Sequence, residues 1–263
     1  MDNKLSFIPS HDGKKLRLRI IACDVLFREI CLCAAYSRNI ISVDFLPRGL
    51  HDNPDVMRAE VQKKIDETDE SAYNGILLGY ALCSNGTAGV RARGIPLIVP
   101  RAHDCITLFL GSKEKYRQYF TDNPGTYYYT SGWLERAGSK VERKVQDGLG
   151  LGKKYEEYVK KYGEDNAKYL IAFESSWIEN YSRAAFIDID FVRFLNYNEQ
   201  AKEIAVQRNW EYEELSGDIR LIRKLIDSEW DEDEFLIVQP GGEIAASYDD
   251  RIIECRSVQP AVK

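Results

Sequence analysis

Apolar residues along this chain alternate between two rhythms: short unbroken runs, and longer stretches in which they recur every third or fourth place. The first rhythm predicts buried strands and the second amphipathic helices. Leu16 to Ala22 is a run, and Asp24 to Tyr36 behind it carries Val25, Leu26, Glu29 and Ile30 at helical spacing. A second strand, Ile40 to Leu46, gives way to Pro47 and Gly49. From Pro54 onward, Val56, Val61 and Ile65 predict a helix that begins near that proline, because a first turn needs no proline N–H. The third run, Gly75 to Tyr80, enters the turn Cys83-Ser84-Asn85-Gly86-Thr87-Ala88-Gly89, to be followed by a short helix and a fourth strand, Ile95 to Val99. Asp104 to Phe120 is again helical in pattern.

Beyond Pro124 the order repeats more loosely. Pro124 to Trp133 reads as a turn and an aromatic strand, and Lys140 to Phe173 as a charged, tyrosine-rich helical region. Ala184 to Ile189, Trp210 to Leu215 and Phe235 to Gln239 read as strands. Helices at Glu199 to Arg208 and Asp218 to Trp230 separate them, the second with Ile219, Ile222, Ile226 and Trp230 on one face. Strands alternating with helices imply right-handed crossovers and open, parallel, doubly wound sheets of Rossmann-like α/β type. The expected arrangement is two lobes around a cleft: an N-terminal α/β lobe over residues 1–130 and a helical and α/β lobe over 131–263, with the boundary somewhere in 125–150.

Composition narrows the class. With 263 residues, 44% hydrophobic and 30% charged, the chain can bury a core without disulfides. It has no run of eighteen apolar residues and no signal-peptide pattern in its first residues, so a cytoplasmic protein that spans no membrane is expected. In that compartment the six cysteines are thiols, available as packing, ligands or nucleophiles. A net charge of -6 and a pI near 5.3, with Lys and Arg scattered among acids, exclude a nucleic-acid footprint and leave a small-molecule substrate as the expected partner.

The reactive side chains sit where such folds bind ligands, just past the carboxyl ends of strands. Cys23 follows the first predicted strand, His51 the second, Cys83 the third, and His103 with Cys105 the fourth. His and Cys suit Zn²⁺, and three protein ligands plus an open position is the usual catalytic arrangement. Cys83, His103 and Cys105 are the expected ligands, with Cys23 or His51 as a fourth or outer one. His103 and Cys105 can reach one ion only from a bend, because i and i+2 diverge inside a helix. Asp104 between them could orient an imidazole or cap the helix. Arg101 could clamp an anionic substrate, with Ser84, Asn85 and Gly86 offering backbone N–H groups beside it. Tyr127 and Trp133 could wall the pocket. Plain packing competes at every position, since free cysteine is among the most buried residue types. Cys31 and Cys33, inside a helix, and Cys255 are read as core; His11 is read as surface; and Asp188 and Asp190 are read as solvated rather than ligating.

Several segments together, Leu50-His51, Gly79-Tyr80-Ala81-Leu82-Cys83-Ser84-Asn85-Gly86, Arg101-Ala102-His103-Asp104-Cys105-Ile106 and Pro124-Gly125-Thr126-Tyr127 through Gly132-Trp133, make the chain resemble the family catalogued as domain of unknown function 1638. The resemblance covers most of the chain and implies a setting in corrinoid-dependent methyl metabolism of anaerobes. Corrinoid methyltransferases use a zinc site with a His-x-Cys element, which His103-x-Cys105 echoes, although those enzymes are larger barrels with a further cysteine. Three expectations result: a zinc-thiolate enzyme transferring methyl groups to a thiol or a corrinoid protein, a non-catalytic carrier of a metal, corrinoid or small anion, or a metal-free enzyme with a cysteine nucleophile paired to His103.

Overall fold

The structure is a computed structural model that describes residues 15–136, 151–175 and 179–257. Strand β1 (Arg17–Cys23) leads through a single 3-10 turn into α1 (Phe27–Tyr36), then β2 (Ile40–Leu46), α2 (Pro54–Asp66), β3 (Gly75–Gly79), β4 (Leu97–Pro100) and α3 (Cys105–Leu110). Helix α2 starts at Pro54, and Asn53 caps it by accepting from the Val56 N–H at 3.2 Å. Met57, Val61 and Ile65, four apart, carry its buried face. The runs of β1, β3 and β4 are buried on both sides, as parallel strands between two helical layers must be, whereas β2 is half-buried at the sheet edge.

Two expectations fail in this stretch. Residues 90–96 contain no helix, and Arg91 there bridges to Glu243. The helix expected over Asp104 to Phe120 is two, α3 and α4 (Lys113–Asp122), because Gly111 turns left-handed (φ 74°) against Asp218, whose carbonyl oxygen would stand 2.7 Å from an added Cβ.

Within α4 the chain passes into a second compact unit, residues 117–217. Here β5 (Thr126–Thr130), α5 (Ser131–Glu135), α6 (Leu151–Tyr162), α7 (Glu164–Ser175), β6 (Arg183–Asp188), α8 (Tyr197–Arg208) and β7 (Glu211–Ser216) build a parallel sheet in the order β5-β6-β7. Residues 140–150 of the helical region read from the sequence, and His11, lie outside the described residues. Asp188 and Asp190 pair with Arg193.

From Asp218 the chain belongs again to the first unit, through α9 (Arg220–Asp227), β8 (Phe235–Val238) and the hairpin β9 (Gly242–Ala246) and β10 (Ile253–Ser257). Strand β8 pairs antiparallel with β4, so the five-stranded sheet runs β2-β1-β3-β4-β8 and draws on both ends of the chain. Helix α9 ends before Trp230, at a left-handed Ser228 (φ 66°). Cys255, read as core, is exposed on β10.

Candidate functional site

The strand order places a switch point between β1 and β3. The crossover from β1 leads outward to β2, and the next one returns past β1 to β3, so the loops beyond these two strand ends diverge and leave a crevice. Ala22 lies opposite Gly79 in the register. A Cβ on Gly79 would stand 2.4 Å from the Ala22 Cβ, so glycine is what lets the strands approach here. The next residues along, Cys23 and Tyr80, therefore emerge side by side at the rim.

Two further thiols are carried there by backbone. The Leu82 N–H donates to the Ala102 carbonyl at 3.0 Å and the Cys83 N–H to the His103 carbonyl at 2.8 Å, zipping the loop after β3 to the one after β4. Cys83, Ser84 and Asn85 all have positive φ (46°, 55° and 65°), a left-handed turn that costs free energy in non-glycine residues. Arg58 of α2 holds that turn by donating to the Asn85 carbonyl at 3.3 Å and to the Ala88 carbonyl. Asp104 caps α3, accepting from the Ile106 N–H at 3.0 Å and from the Tyr116 hydroxyl at 2.8 Å. Cys105 is thus the first residue of the helix.

The result is a hollow of about 320 Å³, its open mouth included, lined by Cys23, Pro47, Leu50, His51, Gly79, Tyr80, Cys83 and Cys105. Burial pushes the Cys23 thiol up to about 11 and the Cys83 thiol up to about 12. Cys105 is raised well above the ordinary thiol range, by burial first and then by the charge of Asp104 and the neighbouring cysteines. All three are protonated at neutral pH. Tyr80 is 4% exposed, and its hydroxyl is buried without a hydrogen-bond partner. That phenol too is raised, chiefly by burial, and Tyr80 lines the hollow together with the three cysteines.

Of the residues singled out from sequence, Cys23, Cys83, Cys105 and His51 meet at this hollow. His51 stands at the mouth, its side chain 51% exposed and 3.5 Å from Asp52. His103 is exposed and does not line the hollow. The condition set for a His-x-Cys pair, that both residues precede the helix, is not met, because Cys105 already belongs to α3. Arg101 donates to the backbone carbonyls of Glu232 (2.8 Å), Arg251 (3.1 Å) and Ile253, and so fastens the C-terminal hairpin to the end of β4. Ser84 and Asn85 point to solvent and Gly86 is buried against Met57. Tyr127 and Trp133 belong to the other unit, where Tyr127 packs among Tyr129, Trp133, Tyr181 and Trp210 at ring separations of 5.0–6.0 Å. Tyr80 received no role from the sequence. Its signal was a Gly-Tyr pair closing a strand at the switch point.

Three thiols and a phenol are donors of the kind soft and borderline metal ions take. As the side chains stand, no three His, Cys, Asp or Glu residues among the described residues are grouped to hold an ion. Zinc binding would therefore need the cysteines to turn toward a common point. No curated protein and no solved structure matches the chain. A family model does, over residues 45–226, and the chain belongs to the family described as protein of unknown function (DUF1638). The match includes His51, Tyr80, Cys83 and Cys105, and leaves Cys23 and the C-terminal hairpin outside it.

Proposed function

We propose that the switch-point hollow is the working site of a zinc-thiolate enzyme, with Cys23, Cys83 and Cys105 as the residues that would hold the ion and His51 at its mouth. The observation that supports this reading is the convergence of three thiols, from the ends of β1, β3 and β4, on one hollow. His103 leaves the ligand set expected from the sequence, and Cys23 enters it fully.

Bound zinc would supply Lewis acidity that keeps a thiol deprotonated as a nucleophile. The chain's own residues prepare for a cation in particular. The thiols keep their protons while the hollow holds only the protein, and release them only to a charge that outweighs the cost of burial. Pro47 and Leu50 keep water away from one wall. Asp104 is committed to capping α3. Methyl transfer to a thiol, with a corrinoid protein as the partner that the family resemblance suggests, is the reaction class proposed: a sulfur–carbon bond forms as the donor's bond to the methyl group breaks, the donor keeps that bond's electron pair, and the proton of the accepting thiol passes to solvent. A metal-free cysteine nucleophile paired to His103 has less support, since His103 is exposed and does not line the hollow.

The test is elemental analysis of protein purified anaerobically without a metal-affinity tag. Near-stoichiometric zinc, lost in Cys23→Ser, Cys83→Ser and Cys105→Ser but kept in His103→Ala, is the expected outcome. Zinc that survives all three cysteine changes, or a folded protein that takes up no zinc, would overturn the reading.

A further inference from the structure

We infer that the Tyr80 hydroxyl is the hydrogen-bond donor to an uncharged oxygen atom of the small molecule that enters the hollow beside Cys23, Cys83 and Cys105. The inference rests on the hollow being a ligand site, and not on zinc being in it.

A buried hydroxyl without a partner costs on the order of 1–3 kcal/mol, so native proteins rarely leave one unless it serves something that binds. Tyr80 is such a case at a telling place. It follows Gly79 directly, at the crevice where open α/β sheets take ligands, and lines the hollow together with Cys23, Cys83 and Cys105. Its oxygen is closed off from bulk water. Cysteine sulfur does not meet that need here: none of the three stands within hydrogen-bonding distance of the hydroxyl.

A phenol O–H donates, so its natural partner is a carbonyl, ether or hydroxyl oxygen. A carboxylate is a poorer occupant. Among the described residues no Lys or Arg lines the hollow, and Arg101 is engaged with backbone carbonyls elsewhere. The lining of Cys23, Tyr80, Cys83 and Cys105 leaves room for a small group only. Such a ligand presents a reacting carbon to a thiol and, a bond or two away, a neutral oxygen to Tyr80.

Matched alkylating agents on metal-free, full-length protein test this. Iodoacetamide carries a neutral carbonyl oxygen two bonds from its electrophilic carbon, iodoacetate carries a charged carboxylate at the same place, and iodomethane carries no oxygen. In each case the thiol sulfur bonds to carbon, iodide departs with the electron pair and the thiol proton goes to solvent. Peptide mass spectrometry follows each cysteine, with exposed Cys255 as the internal reference. In the wild type, iodoacetamide is expected to outpace iodoacetate at the hollow cysteines by more than it does at Cys255. Tyr80→Phe should slow iodoacetamide there about three- to tenfold, the worth of one neutral hydrogen bond, and leave iodomethane unchanged. Equal changes for iodoacetamide and iodomethane would mean that Tyr80 only shapes the wall, and no change in either would mean that the hydroxyl serves a bound water; each result overturns the inference. An absence of zinc in the elemental analysis would leave this experiment intact, so the two proposals fail separately.

Discussion

Replacing Gly79 by alanine tests whether the rim is built on the contact between β1 and β3. The new Cβ would lie 2.4 Å from the Ala22 Cβ and 3.1 Å from its Cα, and the Ile30 side chain at 3.2 Å closes the remaining direction. Ordinary carbon contacts are about 3.5–4.0 Å, so the strands must separate by about an ångström at this point. Overpacking of a core costs about 1–3 kcal/mol, and loosening the last ladder hydrogen bond adds about 1 kcal/mol. A loss of about 2–4 kcal/mol in the unit carrying the five-stranded sheet corresponds to a fall in Tm of about 6–12 °C. The clash is chiefly with a methyl group, so Ala22→Gly in the same chain should restore more than half of the loss despite glycine's own cost in a strand. Thermal melts followed by circular dichroism, with urea titration for the free energies, measure both variants and the double mutant. Stability of Gly79→Ala within about 0.5 kcal/mol of wild type, or no relief from Ala22→Gly, would refute the close approach of the strands and with it the adjacency of Cys23 and Tyr80.

The remaining predictions concern charge. The Cys23 and Cys83 thiols titrate higher in the folded chain (about 11 and 12) than an ordinary thiol, so the stability they contribute is complete below pH about 8.5 and is lost as pH climbs toward their folded values. At pH 10 the loss is on the order of 2 kcal/mol per thiol in metal-free protein, and urea titrations of Cys83→Ser across pH 8–11 should show a shallower decline than wild type. Arg101→Ala should destabilise the protein by about 1–2 kcal/mol, because the carbonyls of Glu232, Arg251 and Ile253 lose their donor, while leaving zinc content at the wild-type level; a loss of zinc with full stability would return Arg101 to the site.

Much of the fold was legible because strands buried on both faces leave continuous apolar runs: Ile20-Ile21-Ala22, Ile76-Leu77-Leu78 and Leu97-Ile98-Val99 could hardly be anything else. Periodicity does not say which sheet a strand joins. Phe235–Val238 reads the same whether it extends the nearer sheet or returns across a hundred residues to pair with β4, and only the tertiary structure decides. The hairpin β9–β10 went unseen because Ile253-Glu254-Cys255 is too short a stretch for alternation to register. At the site, the four strand ends were found by order alone, and that suffices for Cys23, Cys83, Cys105 and His51. It does not suffice for His103, whose direction depends on where α3 begins. The N-cap role of Asp104 sets that boundary one residue ahead of Cys105, so two residues expected to converge are parted by a helix start.

The same charges that shape the thiols also separate the ligands expected from the sequence. An anionic substrate required Arg101 and the backbone of Ser84 to Gly86 to face the thiols, but Arg101 is engaged with the carbonyls of Glu232, Arg251 and Ile253, and Ser84 and Asn85 turn to solvent. What remains at the hollow is three thiols with their protons, a phenol with its own, and the negative influence of Asp24 and Asp104. An anion brought there meets a desolvation cost and no Lys or Arg among the described lining residues to offset it. A cation would meet the reverse: each thiol it deprotonated would become an attractive charge, set against the burial that otherwise keeps the thiols protonated. On the proposed reading the hollow would select by sign before shape, with a neutral oxygen-bearing molecule as the co-ligand beside the ion.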